Sequence, residues 1–357
     1  MSTKKNEKKQ TINSDYIAPR KVTIKHIAKL AGVSFSTVAK ALRNDPVVNV
    51  KTREKIHKIA SEVNYYPNLL AKGLKNKKTK TIGIILNDLK NPFYSEIYKV
   101  IGDILNEKDY TMLLCDSNYD QKLERKNIIT MLSNGVEGLI ISPINESSDN
   151  IKFIIESGLK AVFIDSLPEF HNINYVYVNH ERAAFLAVEH LILNGHKHIL
   201  LLNGPEELSS SQHFLRGYLQ ALSKYKIKQE ENLITFNDIS IESGAEALKE
   251  IFGNKGIREV DFTAIVSLSD LLAIGVYEAA KEMHFKIPDN ISVIGYDNIF
   301  ATNYMHPPLT TVHQPKNRTG LYSINILLDQ INSDSQECKK MIIDPILIER
   351  ESVRRMN

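Results

Sequence analysis

TIKHIAKLAGVSFSTVAKAL, residues Thr23 to Leu42, reads as two short helices joined by a tight turn. Ile24, Ile27, Ala28 and Ala31 recur at helical spacing and make one apolar face. Thr23 stands just before them, where its hydroxyl can accept a bond from a free backbone N–H one turn on. Gly32 falls at the break, where a residue tolerating positive φ is needed. Ser34 is placed to cap the second helix, and Val38 and Leu42, four apart, turn it back on the first. Phe35, Ser36, Thr37 and Lys40 are left facing outward, able to touch a polar surface. Helix, glycine turn and a helix with an exposed polar front form the helix-turn-helix pattern, whose second helix enters the DNA major groove. An ordinary helical hairpin shows the same spacing, so the surrounding charge has to separate the two.

The formal net charge of the 357-residue chain is only +3. Residues 1–80, however, hold 19 Lys and Arg against 5 Asp and Glu, a net of +14, and the remaining 26 basic and 37 acidic residues give −11. A basic head on an acidic body points to a polyanion partner for the head alone, because Lys and Arg that neutralise phosphates release counterions. A solvated tail accounts for Lys4 to Lys9, and residues 1–20 read as a disordered basic tail. It does not account for basic residues interleaved with helical periodicity up to Lys80. A third helix is expected over Lys51–Asn64, burying Ile56, Ile59, Ala60 and Val63, so the headpiece core is small. Tyr65-Tyr66-Pro67-Asn68 ends that helix. Leu69 to Leu74 (LLAKGL) is too apolar for a plain spacer and too short to be a stable helix alone.

From Thr81 the pattern becomes strand, helix, strand, helix. Strands are expected at Ile82–Leu86, Met112–Cys115, Gly138–Ser142 and Ala161–Ile164, with helices near Phe93–Asn106, Gln121–Asn134 and Ser148–Ser157. The alternation then restarts: helix 181–193, strand His198–Asn203, helix 211–224, strand 233–236, helix 241–252, strand 263–267, helix 270–283 and strand Ile291–Gly295. Residues Thr310–Arg350 carry one more helix and further strand material. Short apolar strands between amphipathic helices imply parallel sheets covered on both faces. The fold class is therefore a small all-α helix-turn-helix headpiece plus an α/β body of two doubly wound parallel-sheet subdomains, with a ligand cleft between their strand ends.

No P-loop, Gly-x-Gly-x-x-Gly, Gly-x-Ser-x-Gly or His-Glu-x-x-His motif occurs. His171, His180, His190, His196 and His198 lack metal-ligand spacing, and no Ser or Cys nucleophile is paired with a base. These observations predict no enzyme, no cofactor and no metal. Cys115 and Cys338 make no disulfide framework, and Cys115 sits in an apolar run as a buried thiol of a reducing compartment. No apolar stretch approaches the roughly 20 residues of a membrane span, and the lysine-rich start has no signal-peptide core, so a cytoplasmic protein is expected. The body instead offers polar and aromatic groups at strand ends: Asn91-Pro92-Phe93-Tyr94, Asp165, Asn179-His180, Ser209 to Ser211 with Arg216, Ser269-Asp270 and Gly295-Tyr296-Asp297. Aromatic faces with Asp and Asn suit a polyhydroxylated ligand. Taken singly, each residue also reads as a cap or turn former, and for Asp270 capping is the expectation.

From about Val22 to Val353 the chain resembles the lactose/galactose-repressor family of bacterial transcription regulators. The stretches that carry the resemblance are the opening motif, NYYPN, LAKGL, IGIIL with NPFY, GVEGLIISP, GHKHILLLNG, SDLLAIGVYEA, IPDNISVIGYDN and PPLTTVHQP. It implies a homodimer on a near-palindromic double-stranded operator and a body of periplasmic-binding-protein type whose small-molecule effector, a sugar or sugar derivative, sets DNA affinity. The implied DNA-binding residues are Thr23, Ser34, Phe35, Ser36, Thr37 and Lys40 in the headpiece, and Asn68, Ala71, Lys72, Leu74 and Lys75 in a hinge that folds as a helix on DNA. Leu74 matches the leucine wedged into the minor groove. The implied effector residues are Phe93, Tyr94, Ser142, Asp165, Asn179, Leu208, Ser210, Phe214, Arg216, Ile239, Ser269 and Asp297. The implied domains are a headpiece at 21–67, a hinge and linker at 68–79 and a body at 80–357. Within the body, one subdomain takes about 80–178 and 314–338, and the other about 179–313 and 339–357.

Some positions depart from the family pattern. Ala39-Lys40 replaces a common Ser-Arg, which changes the expected operator. Phe214 stands at a common arginine, Leu208 at a polar or basic position of some members, Ser269 at a frequent asparagine and Asn179 at a frequent aspartate. Loss of the arginine argues against an acidic effector unless Arg216 compensates. No leucine heptad tail is present, which argues for dimers over tetramers. A sugar receptor without a DNA role, an α/β enzyme, and a regulator answering to a nucleobase or a protein co-regulator are the alternatives; the basic head disfavours the first.

Overall fold

The computed structural model describes residues 22–65, 79–253, 261–333 and 337–356. They fall into two compact units, divided between Lys77 and Lys78.

The first unit is three helices, α1 (Ile24–Ala31), α2 (Phe35–Ala41) and α3 (Val50–Glu62). Gly32 closes α1 at φ +70°, and its N–H donates to the Ala28 carbonyl. Ser34 caps α2 as expected: its Oγ accepts from the Thr37 N–H at 3.1 Å. Thr23 does not use its side chain this way. It occupies the cap position of α1, but only its carbonyl accepts, from His26 and Ile27. Ile27, Val38, Ala41 and Ile56 are fully buried where the helices meet, with Ala31, Val48 and Ala60 around them. Side chains of α3 then tie the helix ends together, Lys55 Nζ donating to the Ala31 carbonyl and Arg53 to that of Asn44.

The second unit is two α/β lobes. The first lobe is built on β1 (Thr81–Leu86), β2 (Thr111–Asp116), β3 (Gly138–Ile141), β4 (Ala161–Ile164), β5 (Asn174–Val178) and β11 (Lys340–Ile343). Its order is β11-β5-β4-β3-β1-β2, parallel throughout. Helices α4 (Pro92–Glu107), α5 (Gln121–Ser133), α6 (Asp149–Glu156) and α11 (Lys316–Asn332) belong to it. The second lobe has β6 (Ile199–Asn203), β7 (Ile234–Phe236), β8 (Ala264–Ser267), β9 (Ser292–Asp297), β10 (Thr310–His313) and β12 (Ile346–Ile348), in the order β12-β10-β9-β8-β6-β7. Its helices are α7 (His180–Leu193), α8 (Ser209–Lys224), α9 (Ile241–Phe252) and α10 (Asp270–Glu282). The two lobes share one strand order, and each sheet has an apolar cluster on both faces, which is why the central strands are buried end to end.

Three features differ from expectation. β5 was not expected, yet all five of its residues are buried between β4 and β11. The second sheet is not wholly parallel, because β12 runs antiparallel to β10. The lobe boundary expected at 338/339 falls later: β11 completes the first sheet, and the chain crosses at Asp344-Pro345 before β12 joins the second. Proline supplies no ladder N–H and suits that exit. The chain therefore passes between lobes three times, after β5, β10 and β11.

Candidate functional site

In the headpiece, Phe35, Ser36 and Lys40 stand exposed on α2, with Phe35 62% exposed. Thr37 is half-buried, and its hydroxyl pairs with Ser34 Oγ at 2.8 Å. Asn68, Ala71, Lys72, Leu74 and Lys75 lie outside the described residues.

The body's cleft lies where the strand carboxyl ends of the two lobes face each other, and it holds about 550 Å³ of empty space, mouth included. On the first lobe, Asn91 caps α4 by accepting from the Phe93 N–H, and Pro92 starts the helix. That cap aims Phe93 and Tyr94 into the cleft, their rings edge to face at 4.9 Å. The Tyr94 hydroxyl donates to Asp165 Oδ2 at 3.2 Å. Asp165 directly follows β4, in the left-handed region at φ +56°. Its partner from the other lobe is His180, whose Nε2 is 3.3 Å from Oδ1 and whose Nδ1 is 2.6 Å from the Tyr296 hydroxyl. Nε2 makes its hydrogen bond to the Asp165 backbone carbonyl, at 3.4 Å, and Oδ1 keeps none although it is buried.

On the second lobe, Leu208, Ser209 and Ser210 line the cleft at the start of α8, with Ile239, Leu268 and Ser269 beside them. Asp297 ends β9, 4% exposed. Its Oδ1 accepts from Gln314 Nε2 at 2.7 Å and its Oδ2 from Ser269 Oγ at 3.1 Å. Burial, and then the neighbouring Asp270 carboxylate, push the Asp297 carboxyl well above its ordinary range. Asp270 is itself pushed up to about 7 by burial, against bonds from Thr311 Oγ1 and the Ile299 N–H. Asp270 is therefore not the cap of α10; Ser269 is, accepting from the Leu271 N–H. Lys316, also buried, donates to the carbonyls of Asp297 and Asn298 and reaches Glu96 of α4 at 3.6 Å.

Phe93, Tyr94, Asp165, Leu208, Ser210, Ile239, Ser269 and Asp297 thus meet in one cavity, and four other expected residues stay out of it. Ser142 lies behind the wall, bonded to Asn87 at 3.1 Å. Asn179 is spent as the cap of α7, accepting from the Arg182 N–H. Phe214 is fully buried in the second lobe, its ring 5.4 Å from that of Tyr296. Arg216 does not replace the missing arginine, because it is half-exposed on α8 and engages Glu181 and His213. Asn87, Tyr119, Pro143, Ile144, Leu268 and Gln314 line the cavity but were not singled out by sequence. All six follow strands, and that position was the signal available for them. Burial and the negative charge of Asp88, Asp165 and Asp297 raise the Tyr119 phenol, which places its ring among carboxylates of both lobes. Among the described residues, neither lysine nor arginine lines the cavity.

Residues 79–351 match the family model for periplasmic binding proteins and the sugar binding domain of the LacI family, and residues 23–68 match that for bacterial regulatory proteins of the lacI family. The chain belongs to the LacI family. It is 32% identical to the HTH-type transcriptional repressor PurR of Vibrio atlanticus over 337 residues, covering 94% of this chain and 99% of that one. It is 30% identical to the ribose operon repressor of Escherichia coli K12, covering 92% and 99%. Among solved structures, the lac repressor dimer bound to operator and the anti-inducer ONPF superposes with a TM-score of 0.78 at 26% identity, covering 93% and 99%. A LacI-family regulator from Enterococcus faecium with bound ribose gives 0.67 at 28%, covering 78% of this chain and 100% of that one. This LacI-family chain is an effector-controlled DNA-binding transcriptional regulator. No helix among its described residues is long and apolar enough to cross a membrane.

Proposed function

We propose that this regulator is a cytoplasmic homodimeric repressor whose effector is an uncharged, donor-rich molecule the size of a monosaccharide. One observation carries the effector class. The cavity presents two buried acceptors without a hydrogen bond, Asp165 Oδ1 and Gln314 Oε1, and among the described residues no lysine or arginine lines it. Orphaned acceptors call for a ligand that donates, as sugar hydroxyls do, and a wall that holds Asp165 but neither lysine nor arginine offers a phosphate no counter-charge. Phe93 and Tyr94 cover the C–H face of such a ring.

On the DNA side, Phe35, Ser36 and Lys40 read the major groove, with Thr23, Ser34 and Thr37 orienting the helix. Phe35 has no hydrogen-bonding group and suits a thymine methyl, whereas Lys40 suits a guanine edge. Asn68, Ala71, Lys72 and Lys75 hold the hinge on the backbone, and Leu74 wedges the central step.

A thermal-shift screen of the full chain tests the effector, since a ligand that binds only the folded state raises Tm. D-ribose and other neutral pentoses and hexoses are expected to score, and their phosphates are not. Stabilisation by phosphates alone overturns the reading. The second reading is a purine base, favoured by Tyr119 and Tyr296 joining Phe93 and Tyr94 in the lining; hypoxanthine and guanine in the same screen separate it. In selection from random duplexes, Lys40→Ala is expected to relax one base position in each half-site, and an unchanged profile removes Lys40 from readout.

A further inference from the structure

A second contact bridges the lobes beside the cavity, through Glu146 and His213, neither of which lines it. Glu146 belongs to the loop after β3 and is fixed on its own lobe: its Oε1 accepts from the Leu167 N–H at 2.5 Å and from Ser166 Oγ at 3.5 Å, and its carbonyl from the Glu169 N–H. Its free Oε2 reaches His213 Nε2 on α8 at 3.0 Å, and its own N–H donates to Ser209 Oγ at 3.1 Å. Both side chains are mostly buried, at 13% and 12% exposed. The other ring nitrogen, Nδ1, lies 2.6 Å from Arg216 NH2. A guanidinium only donates, so Nδ1 must accept, and the proton of the neutral ring sits on Nε2, aimed at Glu146. Arg216 is steadied in turn by Glu181 at 3.5 Å. The rings of Tyr177 and His180 pack on the imidazole at 5.7 and 6.5 Å.

We propose that Glu146 and His213 are positioning residues for the effector response: a latch across the cleft that holds Ser209 in the cavity wall and sets how readily the lobes part. The role rests on the reading of the cleft as the effector site, but the latch is observable without any ligand. Arg216, expected from sequence to touch the effector, instead selects the His213 tautomer that closes the latch.

The test is hydrogen–deuterium exchange of the ligand-free full-length protein and of His213→Leu, Glu146→Leu, the double variant and His213→Gln. Leucine at either position is expected to speed exchange at residues 144–147 and 209–213 by about tenfold or more, with the β1, β3, β6 and β8 amides unchanged. The Leu167 amide is expected to lose protection in Glu146→Leu but not in His213→Leu. The double variant should exchange no faster than the faster single, because both remove one interaction. Glutamine offers a side-chain N–H near the position of the imidazole Nε2, so His213→Gln should return exchange to near the wild-type rate. Additive effects, unchanged exchange, acceleration spread through the sheets, or a glutamine variant as fast as the leucine one each overturn the latch. A failed effector screen leaves this outcome untouched and bears on the cavity alone.

Discussion

Asp297 takes bonds from Ser269 and Gln314, and its carboxyl is raised by burial and by Asp270; under the proposed function it is the group of the second lobe that would meet a ligand hydroxyl. Asp297→Ala should therefore abolish the change in operator affinity on adding effector while leaving ligand-free operator binding within about twofold, as titrations with labelled duplex will show. His313 makes a separate prediction. Burial, and then the Lys316 charge, lower its imidazole to about 4, and its Nδ1 accepts from Asn298 Nδ2 at 3.2 Å. In the unfolded chain it titrates near 6.5, so between pH 6.5 and 4 only the unfolded state holds the proton. Its stability contribution is full above 6.5 and is lost as pH falls. His190 and His196, also lowered by burial, slope the same way. Asp270, raised to about 7, slopes the opposite way, losing stability as pH climbs from the carboxyl range to 7. His313→Gln should flatten the acid limb of unfolding free energy against pH by about 1 kcal/mol, discounted for the ring's partial exposure, as denaturant melts at each pH will show. At this scale strand-end position located most of the cavity, but it could not say which way a side chain points. Phe214 and Arg216 sit two apart on one helix; one faces the core and the other solvent, and neither faces the cleft.

The elements were legible because their periodicities differ. Predicted and observed ends of α4, α5, α9 and β4 agree to within a residue or so, and each of the three helices starts at a side-chain cap. β5 was missed because NYVYV is a short run with no flanking turn signal strong enough to separate it from a loop. β11 and β12 were seen only as apolar material, and nothing in their periodicity states which sheet each joins. Close helix packing was likewise hidden until the structure showed which glycines face a neighbour. Gly275 of α10 lies against α9 so closely that a Cβ would stand 2.0 Å from the Ile241 carbonyl oxygen. Backbone cannot yield as a side chain can, so Gly275→Ala should force the pair apart and cost about 3 kcal/mol, lowering the body's Tm in calorimetry. Were Tm unchanged, the α9–α10 spacing would have to be softer than this packing requires.

At the scale of the whole chain, a headpiece region of net +14 precedes a body of net −11, so the DNA contact and the effector contact are chemically separate. Operator binding should fall steeply with salt, by roughly 10³–10⁵ between 50 and 200 mM if each dimer neutralises about 6–10 phosphates. Effector binding by an uncharged ligand should hardly change over the same range. That separation makes the coupling between them measurable. The chain crosses between lobes three times, after β5, β10 and β11, and under the proposed function a ligand held by Asp165 on one lobe and Asp297 on the other would bias the relation between lobes. If effector weakens operator affinity by some factor, operator must weaken effector affinity by the same factor, because both bindings close one thermodynamic cycle. The factor expected for such couplings is about 5–150. Calorimetric effector titrations of the free dimer and of the dimer saturated with operator should give Kd values in that ratio, equal to the operator ratio measured independently. In the latch variants His213→Leu and Glu146→Leu the ratio should move toward one, because lobes that part freely report a ligand less faithfully. A ratio that stays put while both affinities change would place the coupling elsewhere than in the relation between the two lobes.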